Sequence, residues 1–259
     1  MWFFTDEQIL EFVGGYFFPL CRISAFFLAV PIIGTKLVPA RVRFILAAAT
    51  TILVVPLLPP LPSIPSFSVE TLLVVVQQVL IGLAMGFVLQ VVFHLFVVAG
   101  QLMANKMGLG FASMNDPSNG ITVTVVSQFY LMLVTLLFLS LNGHLVMIDI
   151  LVNSFQTLPI SQSGIPIENY WRIAELGSWM FSNAIIISMP VLTSLLVVNL
   201  AFGVMSRSAP QINVFTVGFP ITLIFGLVLI WLSLTSFFPS YEALVDEGFL
   251  FLNDTITIR

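Results

Sequence analysis

Almost all charged residues of this 259-residue chain lie outside its long apolar stretches. Six stretches have at least 18 mainly apolar residues: 12–33, 44–61, 69–99, 121–141, 179–203 and 212–238. Of the 8 basic and 12 acidic residues, only Arg22 and Glu70 lie within them. About 20 apolar residues span a bilayer, and a charge at the centre of a membrane helix costs roughly 2.5–3.5 kcal/mol. The pattern therefore predicts a polytopic membrane protein.

The composition excludes several classes of soluble protein. Only 8% of the residues are charged, against roughly 25% in soluble domains, and a net charge of −4 gives no field that attracts nucleic acid. Backbone groups in lipid must be hydrogen-bonded internally, and the continuous apolar runs lack the alternation of a barrel. We predict an all-α fold with about six long hydrophobic helices. A short amphipathic helix is expected at 142–156, with these polar residues near one face: Asn142, Asp149, Asn153 and Gln156.

Basic residues in the connecting segments predict the orientation of the chain. Five lie on one side, which is then cytoplasmic: Lys36, Arg41, Arg43, Lys106 and Arg207. The other side has Arg172 and Arg259. Both termini are therefore expected in the periplasm.

The sequence contains no constellation typical of catalysis or metal binding. Its two histidines, His94 and His144, and its one cysteine lack metal-ligand spacing. We therefore expect no enzymatic activity, no cofactor and no metal. Arg22, inside the first apolar stretch, is either functional or held by an ion pair or by carbonyl hydrogen bonds.

A ladder of small and polar residues follows one face of the third apolar stretch at four-residue spacing: Gln78, Gly82, Gly86, Gln90 and His94. The two glycines form a GxxxG pair, which lets another helix approach closely. The ladder predicts either packing within the chain or a contact with a neighbouring subunit or pore. His94 is more typical of packing than of proton relay.

The segment 100–120 is rich in glycine and methionine and carries only two charges, Lys106 and Asp116. Exposed connecting loops are usually more charged. Irregular backbone is tolerated at membrane depth where protein buries it or where it lines a cavity, and flexible methionines can seal an irregular opening. We interpret the segment as a re-entrant or pore-occluding loop, with an exposed connecting loop as the alternative.

Three sequence blocks resemble the FliR family of flagellar type III export-gate proteins, whose virulence counterpart is SctT. The most specific block has these matching positions: Arg207, Pro210, Gln211, Asn213, Phe215, Gly218, Phe219 and Pro220. The central block ends in Asp116 and Pro117, and an early block, PIIGTKLVPARVRF, resembles the family's first cytoplasmic loop. The agreement extends over essentially the whole chain.

The resemblance implies a subunit of the flagellar export gate in the bacterial inner membrane, assembled with several copies of FliP and FliQ. Residues 1–178 would be the FliP-like part and 179–259 a FliQ-like hairpin and tail. Unfolded flagellar proteins would pass through the assembly, and FlhB and FlhA are further expected partners. The alternative is a small-solute or ion transporter of the inner membrane.

Two sites follow from the resemblance together with the residue patterns. The expected plug of the channel comprises Met103, Met107, Gly108, Gly110, Phe111, Met114, Asp116 and Pro117. The expected cytoplasmic contact with partner chains comprises Arg207, Pro210, Gln211, Asn213, Phe215, Gly218 and Pro220. The second set could also simply turn the chain.

Overall fold

Seven α-helices form almost all of the described chain in the computed structural model. They are α1 Asp6–Ala29, α2 Ala40–Val54, α3 Val69–Lys106, α4 Val125–Ser140, α5 Gly143–Thr157, α6 Ile167–Ser208 and α7 Val214–Ile256. The structure describes residues 6–58, 68–111, 113–115, 122–161, 164–208 and 214–256, with side chains for 14–58, 68–110, 123–161, 164–207 and 218–255. Short 3-10 turns lie at Val55–Leu57 and Leu109–Phe111. The all-α membrane-type fold is confirmed.

One small departure from the helical fold lies between α3 and α4. Two three-residue strands, β1 Ser113–Asn115 and β2 Thr122–Thr124, pair antiparallel. Met114 is opposite Val123 in this hairpin.

Four described helices are long and apolar enough to cross a membrane: α2 with its 3-10 extension, α3, α6 and α7. The chain bends sharply between α4 and α5, which together could form a fifth, broken span. Six spans were expected, and two of them, α1 and α4, are too short to count as spans by themselves. The described apolar part of α1 covers only Gly14–Ala29, and α4 has only 16 residues. Conversely, α6 and α7 reach 42 and 43 residues, well beyond their apolar stretches.

The predicted amphipathic helix is confirmed as α5. Its buried side includes Met147, Leu151 and Phe155, whereas Asp149 and Asn153 are exposed. The Asn153 side chain donates to the Asp149 carboxylate at 3.1 Å, so the polar side is hydrogen-bonded within the helix.

The chain divides into two compact units that interleave along the sequence. The first unit comprises residues 1–90, 138–176 and 248–259, and its core includes Phe26, Phe27 and Ile81. The second comprises 91–137 and 177–247, and its core contains an aromatic cluster. The Phe237 ring lies 5.6 Å from Phe96 and 5.3 Å from Tyr130 between centroids. The predicted division at residue 178 stays a prediction.

Candidate functional site between the third and fourth helices

The loop between α3 and α4, residues 107–124, has a glycine at its second position that prevents α3 from continuing. Gly108 has φ of +80°, a left-handed conformation that ends helices and that residues with a Cβ rarely adopt. The Gly108 amide donates to the Asn105 carbonyl at 3.2 Å. The first turn of the loop is therefore fixed by its own backbone.

Met107 anchors the start of this loop on α7. Its side chain is fully buried and lies against Gly226, where a Cβ would be only 2.5 Å from Met107 Cγ. Gly226 therefore forms a notch that receives Met107. A Cβ at Gly108 would likewise lie 2.8 Å from the Phe219 ring. The central loop and the Gly218-Phe219-Pro220 block thus contact each other, although more than 100 residues separate them.

Hydrogen bonds fasten the end of the loop to α3. The Gln101 side-chain oxygen accepts from the Thr124 amide at 3.3 Å, and the Ser127 hydroxyl donates to the Val97 carbonyl at 3.0 Å. Thr124 caps α4, because its hydroxyl oxygen accepts from the Ser127 amide at 3.3 Å. Gly100 permits this approach, since a Cβ there would lie 2.7 Å from Ser127 Cα.

Met103 lies beneath the loop on the last turn of α3. It is buried, and the Tyr130 hydroxyl donates to its sulfur at 3.8 Å. Tyr130 belongs to the aromatic cluster with Phe237. The loop is therefore fastened at both ends, next to a packed aromatic core within the second unit.

The structure describes the remaining predicted plug residues only in part. Gly110 is exposed and lies close to the Asn105 side chain. Phe111 is in the 3-10 turn and Met114 is in β1, with their side chains outside the described residues. Asp116 and Pro117 also lie outside them. The role of these residues as a plug stays a prediction.

The predicted ladder lies on α3, and its first members pack within the first unit. Gln78 is buried and bonded to Arg22. Gly82 contacts the backbone of α1 at Arg22, and a Cβ at Gly86 would lie 2.6 Å from the Ala29 methyl. Gln90 and His94 are half-buried on the same helix. Contact of this ladder with another subunit stays a prediction.

The predicted cytoplasmic hairpin is divided between α6 and α7. Arg207 is exposed in the last turn of α6. Phe215 and Gly218 lie in the first turns of α7, where Gly218 is buried, and Pro220 is exposed inside that helix. Three further predicted residues lie outside the described part of the chain: Pro210, Gln211 and Asn213.

Arg22 has no carboxylate partner among the described residues, yet it is fully buried. Its Nε donates to Gln78 Oε1 at 2.8 Å. Its two terminal nitrogens donate to the carbonyls of Ser154 at 2.9 Å and Leu158 at 2.8 Å. The guanidinium carbon also lies 4.2 Å from the centre of the Phe155 ring. Arg22 therefore joins α1, α3 and the end of α5.

Sequence reasoning missed three residues that hold the loop: Gln101, Thr124 and Gly226. Thr124 had a recognisable signal, because a threonine directly before an apolar run is typical of a helix cap. Gly226 had none, because a glycine inside an apolar helix does not reveal what packs on it. Among the described residues, no group of three His, Cys, Asp or Glu side chains could hold a metal.

These features define a polytopic helical membrane protein with an internally fastened loop. The chain belongs to the family described as bacterial export proteins, family 1, whose sequence profile matches residues 13–248. It is 38% identical over 253 residues to the flagellar biosynthetic protein FliR of Escherichia coli (strain K12), covering 98% of this chain and 97% of that protein. It is 39% identical over 254 residues to FliR of Pectobacterium carotovorum subsp. carotovorum, with the same coverage.

A relative with lower sequence identity is also a FliR protein. The flagellar biosynthetic protein FliR of Bacillus subtilis (strain 168) is 29% identical over 227 residues, which cover 86% of this chain and 87% of that protein. The resemblance to the FliR family that the three sequence blocks predicted is therefore confirmed.

Proposed function

We propose that this chain is a subunit of the flagellar protein-export gate in the bacterial inner membrane, and that its α3–α4 loop plugs the export channel. The observation that carries the proposal is the seat of Met107 in the Gly226 notch, beside the Gly108–Phe219 contact. A plug must be closed at rest and able to leave. A flexible methionine resting on a glycine provides a close seal without a covalent or ionic lock.

The two ends of the loop are attached by different kinds of contact, which supports the proposal that the loop moves. The end at Thr124 is held by hydrogen bonds to α3 and to α4, whereas the start at Met107 and Gly108 is held by apolar contact with α7. Apolar contacts lack direction and can slide or re-form in another place. We therefore expect the start of the loop to leave α7 while the end stays fixed.

The exposed apolar surface supports assembly with FliP and FliQ. Only 17% of the apolar window of α6 and 22% of that of α7 are buried within the chain. Large apolar side chains such as Phe181, Leu200 and Trp231 are more than half exposed. Extensive exposed apolar surface marks contact with lipid or with other subunits. FlhB, FlhA and exported flagellar proteins complete the proposed set of partners.

The ion permeability of the assembled gate tests the plug. Deletion of residues 108–115 should make membranes that contain the complex leak ions, because it removes the loop between its two anchors. A control variant with Asp149→Ala and Asn153→Ala, on the exposed polar side of α5, should leave permeability unchanged. If the loop deletion assembles normally and the membrane stays tight, the plug is wrong.

The composition of the purified complex tests the assembly. Native mass spectrometry of the tagged chain, extracted in mild detergent, should give one copy with several copies of two smaller membrane proteins. A monomer or homodimer, under conditions that preserve other membrane complexes, would contradict the proposed gate.

Photo-crosslinks from Gln211 that reach FlhB would support the cytoplasmic contact, and crosslinks only within this chain would support a simple turn.

The transporter alternative is less well supported, because Arg22 already donates its hydrogen bonds to groups within the chain. The transporter alternative predicts charges near the membrane midplane that could meet a substrate. The hydrogen bonds of Arg22 go to Gln78, Ser154 and Leu158 within the first unit. Saturable uptake of a small solute by the purified chain would restore the alternative.

A further inference from the structure

A groove of about 400 Å³ lies between α1, α2 and α3 in the first unit. Its walls are mostly apolar and include Leu28, Phe44 and Leu83. Sites for small molecules typically measure ~300–1,000 Å³ and are similarly apolar. Leu28 and Phe44 are each more than half exposed, so the groove opens on the outer surface of this unit. Its size and chemistry suit part of a hydrocarbon chain.

Arg43 is the one charged side chain among the described residues that line the groove. Its guanidinium has no hydrogen-bond or ion-pair partner within the part of the chain whose side chains are described, and its Nε is buried. A buried donor without an acceptor is destabilising. None of the described residues that line the groove is acidic, so this lining offers Arg43 no carboxylate.

Arg43 lies close to one end of a helix that is long and apolar enough to cross a membrane. It lies in the first turn of α2, whose candidate span begins at Ala40. At 1.5 Å per residue, Arg43 is about 5 Å along the axis from that end. Ser24 also lines the groove, but its hydroxyl already donates to the Leu20 carbonyl at 2.5 Å. The groove therefore combines apolar walls with one arginine whose buried Nε has no hydrogen-bond partner.

We propose that this groove binds one anionic phospholipid of the membrane. An acyl chain would lie against Phe44 and Leu83, and phosphate oxygens would accept from Arg43. The arginine fork matches phosphate geometry, and basic pockets between membrane helices bind such headgroups. Arg41 and Lys36, both exposed, add positive charge close by in the chain. The site is independent of the proposed plug and lies in a different unit.

Native mass spectrometry of the full chain, extracted with its complex and titrated with lipid, tests the headgroup contact. Phosphatidylglycerol should bind in preference to phosphatidylcholine with the same acyl chains. Arg43→Gln should weaken phosphatidylglycerol binding about fivefold and leave phosphatidylcholine binding nearly unchanged. Arg41→Gln is the matched control: Arg41 is in the same turn but does not line the groove, so less than a twofold change is expected.

A second pair of variants tests the acyl trough. Leu83→Trp fills the groove and should weaken the binding of both lipids, whereas Leu53→Trp, on the exposed side of α2, should not. If Leu83→Trp does not fold, Leu28→Trp at the mouth replaces it. Equal binding of the two lipids, or equal effects of Arg43→Gln and Arg41→Gln, would overturn the proposal. A photo-crosslinker at Phe44 that labels only protein would also overturn it, because another chain would then fill the groove.

Discussion

The Arg22 guanidinium donates to the carbonyl oxygen of Leu158 at 2.8 Å, across 136 residues of sequence. Leu158 is the cap at the carboxyl end of α5. The carbonyls at that end of a helix carry about half a negative charge, and Arg22 also binds the neighbouring Ser154 carbonyl. The partial negative charge at the carboxyl end of α5 therefore balances the charge of this buried guanidinium. This explains how an arginine is tolerated without a carboxylate.

Replacement of Arg22 by methionine should destabilise the first unit strongly. It leaves the Leu158 carbonyl and the Gln78 side-chain oxygen without the Arg22 donor, while the Ser154 carbonyl keeps its bond from the Leu158 amide. Each unsatisfied buried group costs ~1–3 kcal/mol, so a loss of about 3 kcal/mol or more is expected. The melting temperature by tryptophan fluorescence in detergent measures this loss. Arg172→Met, at an exposed position on α6, is the control and should change stability by less than about 0.5 kcal/mol. Equal losses in both variants would contradict the role of Arg22.

Replacement of Gln78 by glutamate should raise stability. The Gln78 oxygen already accepts from Arg22 Nε at 2.8 Å, while its amide nitrogen is buried without a partner. A carboxylate removes that unpaired donor and gives the buried cation an opposite charge at hydrogen-bond distance. We expect a gain of about 1 kcal/mol, measured as a higher melting temperature. Gln156→Glu, at an exposed position on α5, should show no gain. A lower melting temperature for Gln78→Glu would mean that desolvation of the carboxylate exceeds its attraction to Arg22.

Replacement of Gly82 by alanine should separate α3 from α1. The added Cβ would collide with the Arg22 carbonyl oxygen, which is backbone and cannot rotate away. Overpacking of this kind costs ~1–3 kcal/mol. Gly177→Ala is the control, because no atom lies within 4 Å of its Cβ position, and alanine is favoured in helices. Thermal unfolding of the two variants should therefore shift in opposite directions. A neutral Gly82→Ala would show that α1 and α3 can repack.

The sequence predicted the existence of the helices better than their lengths. Apolar runs mark where a helix can meet lipid, so all seven helices were foreseen. Charge does not end a helix, however, and α7 continues through the exposed residues Glu242, Asp246 and Glu247 to Ile256. Helix ends depend on caps such as Gly108 and Asn142, which both have positive φ, rather than on hydropathy.

The loop residues were predictable, whereas the surfaces that hold them were not. Glycine, methionine and the shortage of charge singled out the segment that contains Met107 and Gly108. Their partners are a ring, Phe219, and the missing side chain of Gly226, and a missing side chain leaves no sequence pattern. The partners of Arg22 are likewise partly backbone carbonyls. Any residue can supply a carbonyl, so spacing could not identify them.

Replacement of Gly226 by alanine should loosen the proposed plug. The new Cβ would lie 2.5 Å from Met107 Cγ, so the methionine must leave its notch, at a cost of ~1–3 kcal/mol. The added methyl is small, so the complex should still assemble, with increased ion leak across membranes that contain it. Gly203→Ala, with open space at its Cβ position on α6, is the control and should keep the membrane tight. If Gly226→Ala lowers the melting temperature and the membrane stays tight, the Met107 contact only stabilises the fold, and the channel must be closed elsewhere.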